Sequence, residues 1–68
     1  SEYLIYIIDE LQRLGLTTQI VCNPIKDNES VNLVMVGDAK NNKWFASREN
    51  SISLALCKSV LGYFEKFN

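Results

Sequence analysis

Apolar residues recur with a helical period at the start of the chain. They form one stripe with polar residues opposite, which predicts a helix over residues 2–15 that stops at Gly15. Ile5 and Tyr6 lie outside this stripe, on the two flanks of the polar face, and are expected to be exposed. A strand is the alternative, because residues 3–8 are also β-prone. The predicted core stripe consists of Leu4, Ile7, Ile8, Leu11 and Leu14.

Three runs with the composition of β-strands follow. The first covers residues 17–23 and ends before Pro24, which cannot donate to a sheet ladder. The polar residues 26–30 are the natural hairpin connection to a second strand at 31–36. A second turn over residues 37–42 leads to a short third strand at 43–47. This part of the chain is therefore predicted to be an antiparallel meander.

A second helix is predicted to start from a cap at Ser47 or Asn50 and to run to about residue 67. Its predicted core stripe consists of Leu56, Cys57, Val60, Leu61, Phe64 and Phe67. The order is α-β-β-β-α, an α+β fold in which a three-stranded antiparallel meander packs with two helices in a single domain over residues 1–68. No apolar run approaches the roughly 20 residues that a membrane helix needs, so we expect a soluble protein without membrane association.

The second predicted strand is apolar on both faces. Val31, Leu33 and Met35 point one way, whereas Val34 and Val36 point the other. An antiparallel sheet with one wet face normally alternates apolar and polar residues. Either the two helices cover opposite faces, or both cover one face and something else covers the other. A plainly hydrophobic central strand is the simpler alternative.

Composition and charge indicate a folded domain without a catalytic or metal site. The chain has 68 residues, of which 47% are hydrophobic, and this suffices for one small core. It contains no His and two distant Cys, so neither a zinc site nor a Ser-His or Cys-His nucleophile can be built. Its eight acidic residues are spread along the sequence. We therefore expect a non-enzymatic protein with no cofactor and no metal.

The two cysteines are expected to be reduced. Cys22 and Cys57 are flanked by apolar residues and no Cys-rich framework surrounds them. We predict that both thiols are buried and poorly reactive, with a disulfide as the alternative. Free thiols favour a cytoplasmic location, and Ser1 in place of Met indicates a processed start or a tag remnant.

Residues 51–61, Ser-Ile-Ser-Leu-Ala-Leu-Cys-Lys-Ser-Val-Leu, resemble the closing helix of the phage ABA sandwich domain family. Members of that family are small phage and prophage proteins, and they also place a helix, a Trp-bearing antiparallel hairpin and a closing helix in this order. The resemblance implies a phage or prophage origin and no defined chemistry. We therefore hypothesise an accessory protein that binds a partner, for example to inhibit a host defence system. Sequestration of a small ligand or nucleotide is an alternative.

Nucleic-acid binding is a further alternative. The order α-β-β-β-α is also that of double-stranded RNA-binding domains, and a basic and aromatic patch is conceivable at the second hairpin. Its candidate residues are Lys40, Lys43, Trp44 and Arg48. The net charge of −1 argues against it, and Glu49 cancels Arg48 at the start of the last helix. Scattered solvated charges are the favoured interpretation of these residues.

Self-association is predicted from three features together. The chain is short, its sheet is apolar on both faces, and Ile5 and Tyr6 lie outside the first core stripe. A symmetric dimer is the commonest way to cover such a surface. We therefore expect a homo-oligomer, and a complex with a different protein is the main competitor.

Overall fold

A computed structural model describes residues 2–23 and 32–67. The elements are helix α1 (Glu2–Arg13), strands β1 (Thr17–Cys22), β2 (Asn32–Asp38) and β3 (Lys43–Glu49), and helix α2 (Ile52–Phe67). The predicted fold class and the order α-β-β-β-α are confirmed. The predicted hairpin connection at 26–30 and the first residue of the predicted second strand, Val31, lie outside the described residues.

Helix α1 ends two residues earlier than predicted, in a glycine-centred turn. Gly15 has a φ of 82°, and its N–H donates to the Gln12 carbonyl while the Leu16 N–H donates to the Leu11 carbonyl. This pair of hydrogen bonds defines a Schellman motif, which brings the residue after the glycine back against the last helical turn. Leu16 is buried beside Leu11 as a result. The prediction that Leu14 belongs to the core is wrong, since its side chain is 67% exposed.

The exposure of Ile5 and Tyr6 is confirmed. Each is 63% exposed, as expected for side chains on the flanks of the polar face of α1. Leu4, Ile7, Ile8 and Leu11 pack on the core as predicted. The helical interpretation of the opening residues is therefore right, although those residues are also β-prone.

The three strands form one antiparallel sheet in the order β1-β2-β3. Val34 lies opposite Ile20 on one side and Ser47 on the other. Directly opposed residues of antiparallel strands share a face, so these three point to the same side of the sheet. Leu33 and Met35 point to the other side, which confirms the predicted alternation of β2 over its described residues.

The turn between β2 and β3 is shorter than predicted. Gly37 and Asp38 belong to β2, and β3 continues to Glu49, so the turn covers residues 39–42 alone. Asp38 accepts hydrogen bonds from the Asn41 side chain at 2.6 Å and from its backbone N–H at 3.2 Å. Both bonds lower the pKa of the Asp38 carboxyl below its ordinary value of 3.8, and the bond from the Asn41 side chain has the larger effect.

Helix α2 is capped by a residue that the sequence reasoning passed over. Ser51 Oγ accepts a hydrogen bond from the Leu54 N–H at 3.3 Å, and the Ser51 carbonyl accepts one from the Ala55 N–H. The predicted caps are wrong. Ser47 lies within β3, and Asn50 instead offers its carbonyl to the Asn32 side chain at 2.7 Å.

The face of α2 that meets the sheet is also different from the prediction, because small residues form it. Ser59 is fully buried and its hydroxyl donates to the Val34 carbonyl at 2.6 Å. Gly62 lies against the Phe45 ring, where a Cβ atom would overlap the ring. Ala55, Leu56 and Tyr63 complete the buried side, and Val60 and Phe67 pack at its margin. The remaining members of the predicted stripe, Cys57, Leu61 and Phe64, are exposed.

Both helices pack on the same face of the sheet. Helix α1 lies over β1, and α2 lies over β2 and β3. The core between the two layers contains Val34, Val36 and Leu56, all fully buried, together with Leu11. Of the two arrangements left open by the apolar pattern of β2, the structure therefore has the one with both helices on one face, and no helix within residues 2–23 and 32–67 covers the second face.

Candidate binding surface

The second face of the sheet is the first candidate for a functional surface. We call it the open face, since both helices lie on the opposite side of the sheet. The strand register assigns it nine side-chain positions. They are Thr17, Gln19 and Val21 from β1, Leu33, Met35 and Gly37 from β2, and Trp44, Ala46 and Arg48 from β3.

The centre of the open face is apolar. Leu33 and Met35 of the central strand are only partly buried, and Val21 beside them is 42% exposed. Ala46 continues this surface onto β3 and is exposed. A solvated face of an antiparallel sheet is expected to carry polar side chains at most of these positions, yet β2 contributes none. Contiguous exposed apolar patches on a folded chain mark interaction sites more often than isolated apolar residues do.

Trp44 is held at the hairpin end of the open face by two contacts. Its ring covers Gly37 on the neighbouring strand, where an added Cβ would overlap the indole. Its Nε1–H donates to Asn42 Oδ1 at 3.1 Å. Asn42 itself adopts a φ of 54°, in the left-handed region that Asn tolerates better than most residues. The indole is thus positioned before any partner binds.

The four residues predicted to form a basic and aromatic patch do not come together as one surface. Trp44 and Arg48 share the open face but are four residues apart on β3, a distance of about 13 Å along a strand. Lys43 points to the helix-covered face, where its Nζ lies 5.9 Å from the centre of the Phe67 ring. Lys40 is exposed in the hairpin turn. Their role in binding stays a prediction.

A second apolar feature lies between the helices. A groove of about 300 Å³ is lined by Ile7, Cys57, Val60 and Leu61, all of them apolar or weakly polar. Helix α1 packs on β1, whereas α2 packs on β2 and β3, so the two helices make limited contact with each other. The groove is the space left between them. We refer to it as the interhelical groove.

The cysteines are free, as expected, but their predicted burial is wrong. Both thiols are exposed. Cys22 is the last residue of the edge strand β1, and Cys57 forms a wall of the interhelical groove. Apolar neighbours in sequence did not imply burial here, because one cysteine lies at a strand end and the other lies beside the interhelical groove, away from the side of α2 that meets the sheet.

The described residues, 2–23 and 32–67, contain no group of three His, Cys, Asp or Glu side chains placed to hold a metal ion. Within the same ranges, no helix is long and apolar enough to span a bilayer. Two ion pairs among the described residues, Arg13 with Glu10 and Lys58 with Glu49, are partly or largely solvent-exposed, so they contribute little to stability.

No protein-family model, curated protein or solved structure matches the chain. The resemblance of residues 51–61 to the phage ABA sandwich family therefore stays a prediction.

Proposed function

We propose that this chain is a non-enzymatic binding protein that recognises another protein through the open face of its sheet. The observation that carries the proposal is the apolar centre of that face, formed by Val21, Leu33, Met35 and Ala46 on the side opposite both helices. Protein interfaces are built around such desolvated apolar centres with a polar rim. Gln19, Thr17 and Arg48 supply that rim here.

Three properties of the open face favour a protein partner over a nucleic acid. Among the nine described strand positions of this face, Arg48 is the single charged side chain, whereas phosphate binding needs several cations on one surface. Trp44 and Met35 are residue types enriched at protein interfaces. Trp44 is also fixed by its contacts with Gly37 and Asn42, which lowers the entropy lost on binding.

The proposed context is a phage or prophage accessory role, and it rests on the resemblance of residues 51–61. A chain of 68 residues with no His acts most simply by occupying the surface of a partner. Masking the surface of a host defence protein is one form of such action. Sequestration of a small ligand would use the interhelical groove instead, since that is an apolar groove of about 300 Å³.

Affinity capture with matched variants tests the open face. Immobilised wild-type protein, Ala46→Lys and Leu61→Lys are incubated with the lysate of a bacterial host, and retained proteins are quantified by mass spectrometry. Ala46 and Leu61 are both exposed, and they lie on the open face and on the groove wall respectively. We expect one protein to be retained by the wild type and by Leu61→Lys and lost from Ala46→Lys, because a charge at the patch centre is left unpaired in the interface.

Two results contradict this proposal. If the protein is still retained by Ala46→Lys but is lost with Leu61→Lys, the binding site is the interhelical groove. Co-purification of a small molecule or nucleotide without any retained protein favours sequestration.

Nucleic-acid binding is the second candidate, and the observation in its favour is that Trp44 and Arg48 share the open face. Stacking of a base on the indole, with Arg48 at a phosphate, would give weak and salt-dependent affinity. Gel shifts with duplex RNA, duplex DNA and single strands at low salt decide this alternative, and the absence of any shift at micromolar protein eliminates it.

A further inference from the structure

The apolar part of the open face is a diagonal band. The nine positions form three rows across the strands, because each residue of β2 lies opposite one residue of β1 and one of β3. The rows are Thr17, Gly37 and Trp44; Gln19, Met35 and Ala46; and Val21, Leu33 and Arg48. The apolar band consists of Val21, Leu33, Met35, Ala46 and Trp44, and it runs from one corner of the face to the opposite corner. Polar side chains therefore flank the band on both sides.

The dimensions of the apolar band match those of a single α-helix. Neighbouring strands lie about 4.8 Å apart and alternate residues of a strand about 6.8 Å apart, so the diagonal of the face is about 17 Å long. A helix of about 11 residues has this length, and its diameter of about 10–12 Å is close to the width of three strands. An amphipathic helix also carries an apolar stripe between two polar flanks. Strands β2 and β3 already accept a helix, α2, on their other side.

The charge beside the apolar band is unpaired within the described part of the chain. Arg48 is exposed, and no hydrogen bond or ion pair within residues 2–23 and 32–67 engages its guanidinium. The adjacent carboxylate, Glu49, points to the helix-covered face and binds Lys58 Nζ at 2.8 Å. Arg48 is therefore free to pair with a carboxylate from outside the chain, which a guanidinium can hold by two parallel hydrogen bonds.

Building on the proposed function, we propose that the open face binds an amphipathic helix of a partner protein, about three turns long, with acidic residues along the flank that lies over Arg48. The apolar stripe of this helix packs along the apolar band. A large side chain of the partner fits over Ala46, which is the smallest residue of the band and lies between Trp44 and Arg48 on β3. The other flank of the partner helix meets the uncharged Thr17 and Gln19.

The spacing of β3 also fits a helical partner. Ala46 and Arg48 are two residues apart on the same face of a strand, a distance of about 6.8 Å. Residues three or four positions apart on a helix have Cβ atoms about 5–6 Å apart. An acidic residue three or four positions from the partner residue over Ala46 therefore reaches the guanidinium. This spacing is the sequence signature that we expect in the partner.

Selection from two displayed peptide libraries tests the kind of partner. One library randomises the surface of a helical miniprotein, and the other randomises a β-hairpin of similar size. Binders of the open face are those that retain affinity for Leu61→Lys and lose it for Ala46→Lys. We expect such binders from the helical library, with Asp or Glu enriched on one flank of an apolar stripe. Open-face binders from the hairpin library alone, or helical binders without acidic enrichment, overturn the proposal.

Charge reversal tests the role of Arg48. Binding of a selected helical peptide to Arg48→Glu should be weaker than to wild type by about tenfold or more, because like charges then face each other across the interface. Replacement of the acidic residue of the peptide by Lys should restore binding to Arg48→Glu. Circular dichroism verifies that the variant is folded. Equal affinity for wild type and Arg48→Glu, or no restoration by the Lys peptide, contradicts the pairing.

Two further results separate this inference from the proposed function. A host protein whose capture needs Ala46 but survives Arg48→Glu overturns the acidic helix and leaves the proposed function intact. Helical binders that pass the charge-reversal test, without any host protein retained, support the inference and contradict the proposed function. Light scattering examines a second copy as the occupant, since a wild-type dimer that Ala46→Lys dissociates would cover the open face with another copy and overturn the helix.

Discussion

Small residues decide how closely the layers of this molecule approach. Gly62 accommodates the Phe45 ring and Gly37 accommodates the Trp44 ring, one on each face of the sheet. Ser59 adds a buried hydrogen bond from α2 to the central strand. In a close-packed interior, one added methyl group at such a position forces neighbours out of place. These residues therefore fix both the helix-covered face and the shape of the open face.

The buried hydroxyl of Thr18 lowers the stability of the fold. Thr18 points to the helix-covered face beside Val36, and its Oγ1 is buried without a hydrogen-bond partner among the described residues. A buried hydroxyl that loses water without gaining a partner costs about 1–3 kcal/mol. We expect Thr18→Val, which keeps the shape, to raise the free energy of unfolding by about 1 kcal/mol in urea denaturation at fixed protein concentration.

The matched control for this substitution is Thr17→Val. Thr17 is exposed on the neighbouring position of the same strand, so its change should leave stability nearly unaltered. Destabilisation by Thr18→Val, or equal effects of the two variants, means that the Thr18 hydroxyl is satisfied in the protein.

At the scale of elements, the glycine stop of α1 was predicted more accurately than the buried face of α2. Gly15 was identified correctly as the stop of α1, since a left-handed residue there favours glycine. The hydrogen bonds of this turn bury Leu16 in place of Leu14. These bonds lie beyond the end of the helix, so the helical period of apolar residues could not predict this change. In α2 the apolar residues surround most of the helix, so the period could not tell which side meets the sheet.

The β2–β3 hairpin is the element with a predicted pH response. The folded-state pKa of Asp38 is lowered, so its stabilising contribution is complete above the unfolded-state value near 3.8 and is lost as pH falls through the lower folded-state value. We expect the stability difference between wild type and Asp38→Asn to shrink below about pH 4. Thermal melts over a pH series measure it.

Asn41→Ala provides the control for this response, because Asn41 is the donor that lowers the pKa of Asp38. In that background the pH dependence of the effect of Asp38→Asn should be much reduced. If the effect of Asp38→Asn depends on pH as strongly in the Asn41→Ala background as in the wild type, the hydrogen bonds from Asn41 are not the cause of that dependence.

At the scale of the whole molecule, the position of the helices was the feature that the sequence left undecided. Strand β2 is apolar on both sides, so its pattern fits helices on opposite faces and helices on one face equally well. Burial separates the two sides in the structure, since Val34 and Val36 are fully buried whereas Leu33 and Met35 are not. The candidate surface follows from that asymmetry, and side-chain patterning alone could not have located it.

Accessibility of the open face to solvent is the measurement that tests this account most directly. Methyl signals are recorded by NMR with and without a soluble paramagnetic probe that broadens exposed groups. We predict strong broadening for Leu33 and Met35 and little for Val34 and Val36, which lie under the helices. If Leu33 and Met35 are as protected as the two valines, this face is already covered within the protein and is not available to a partner.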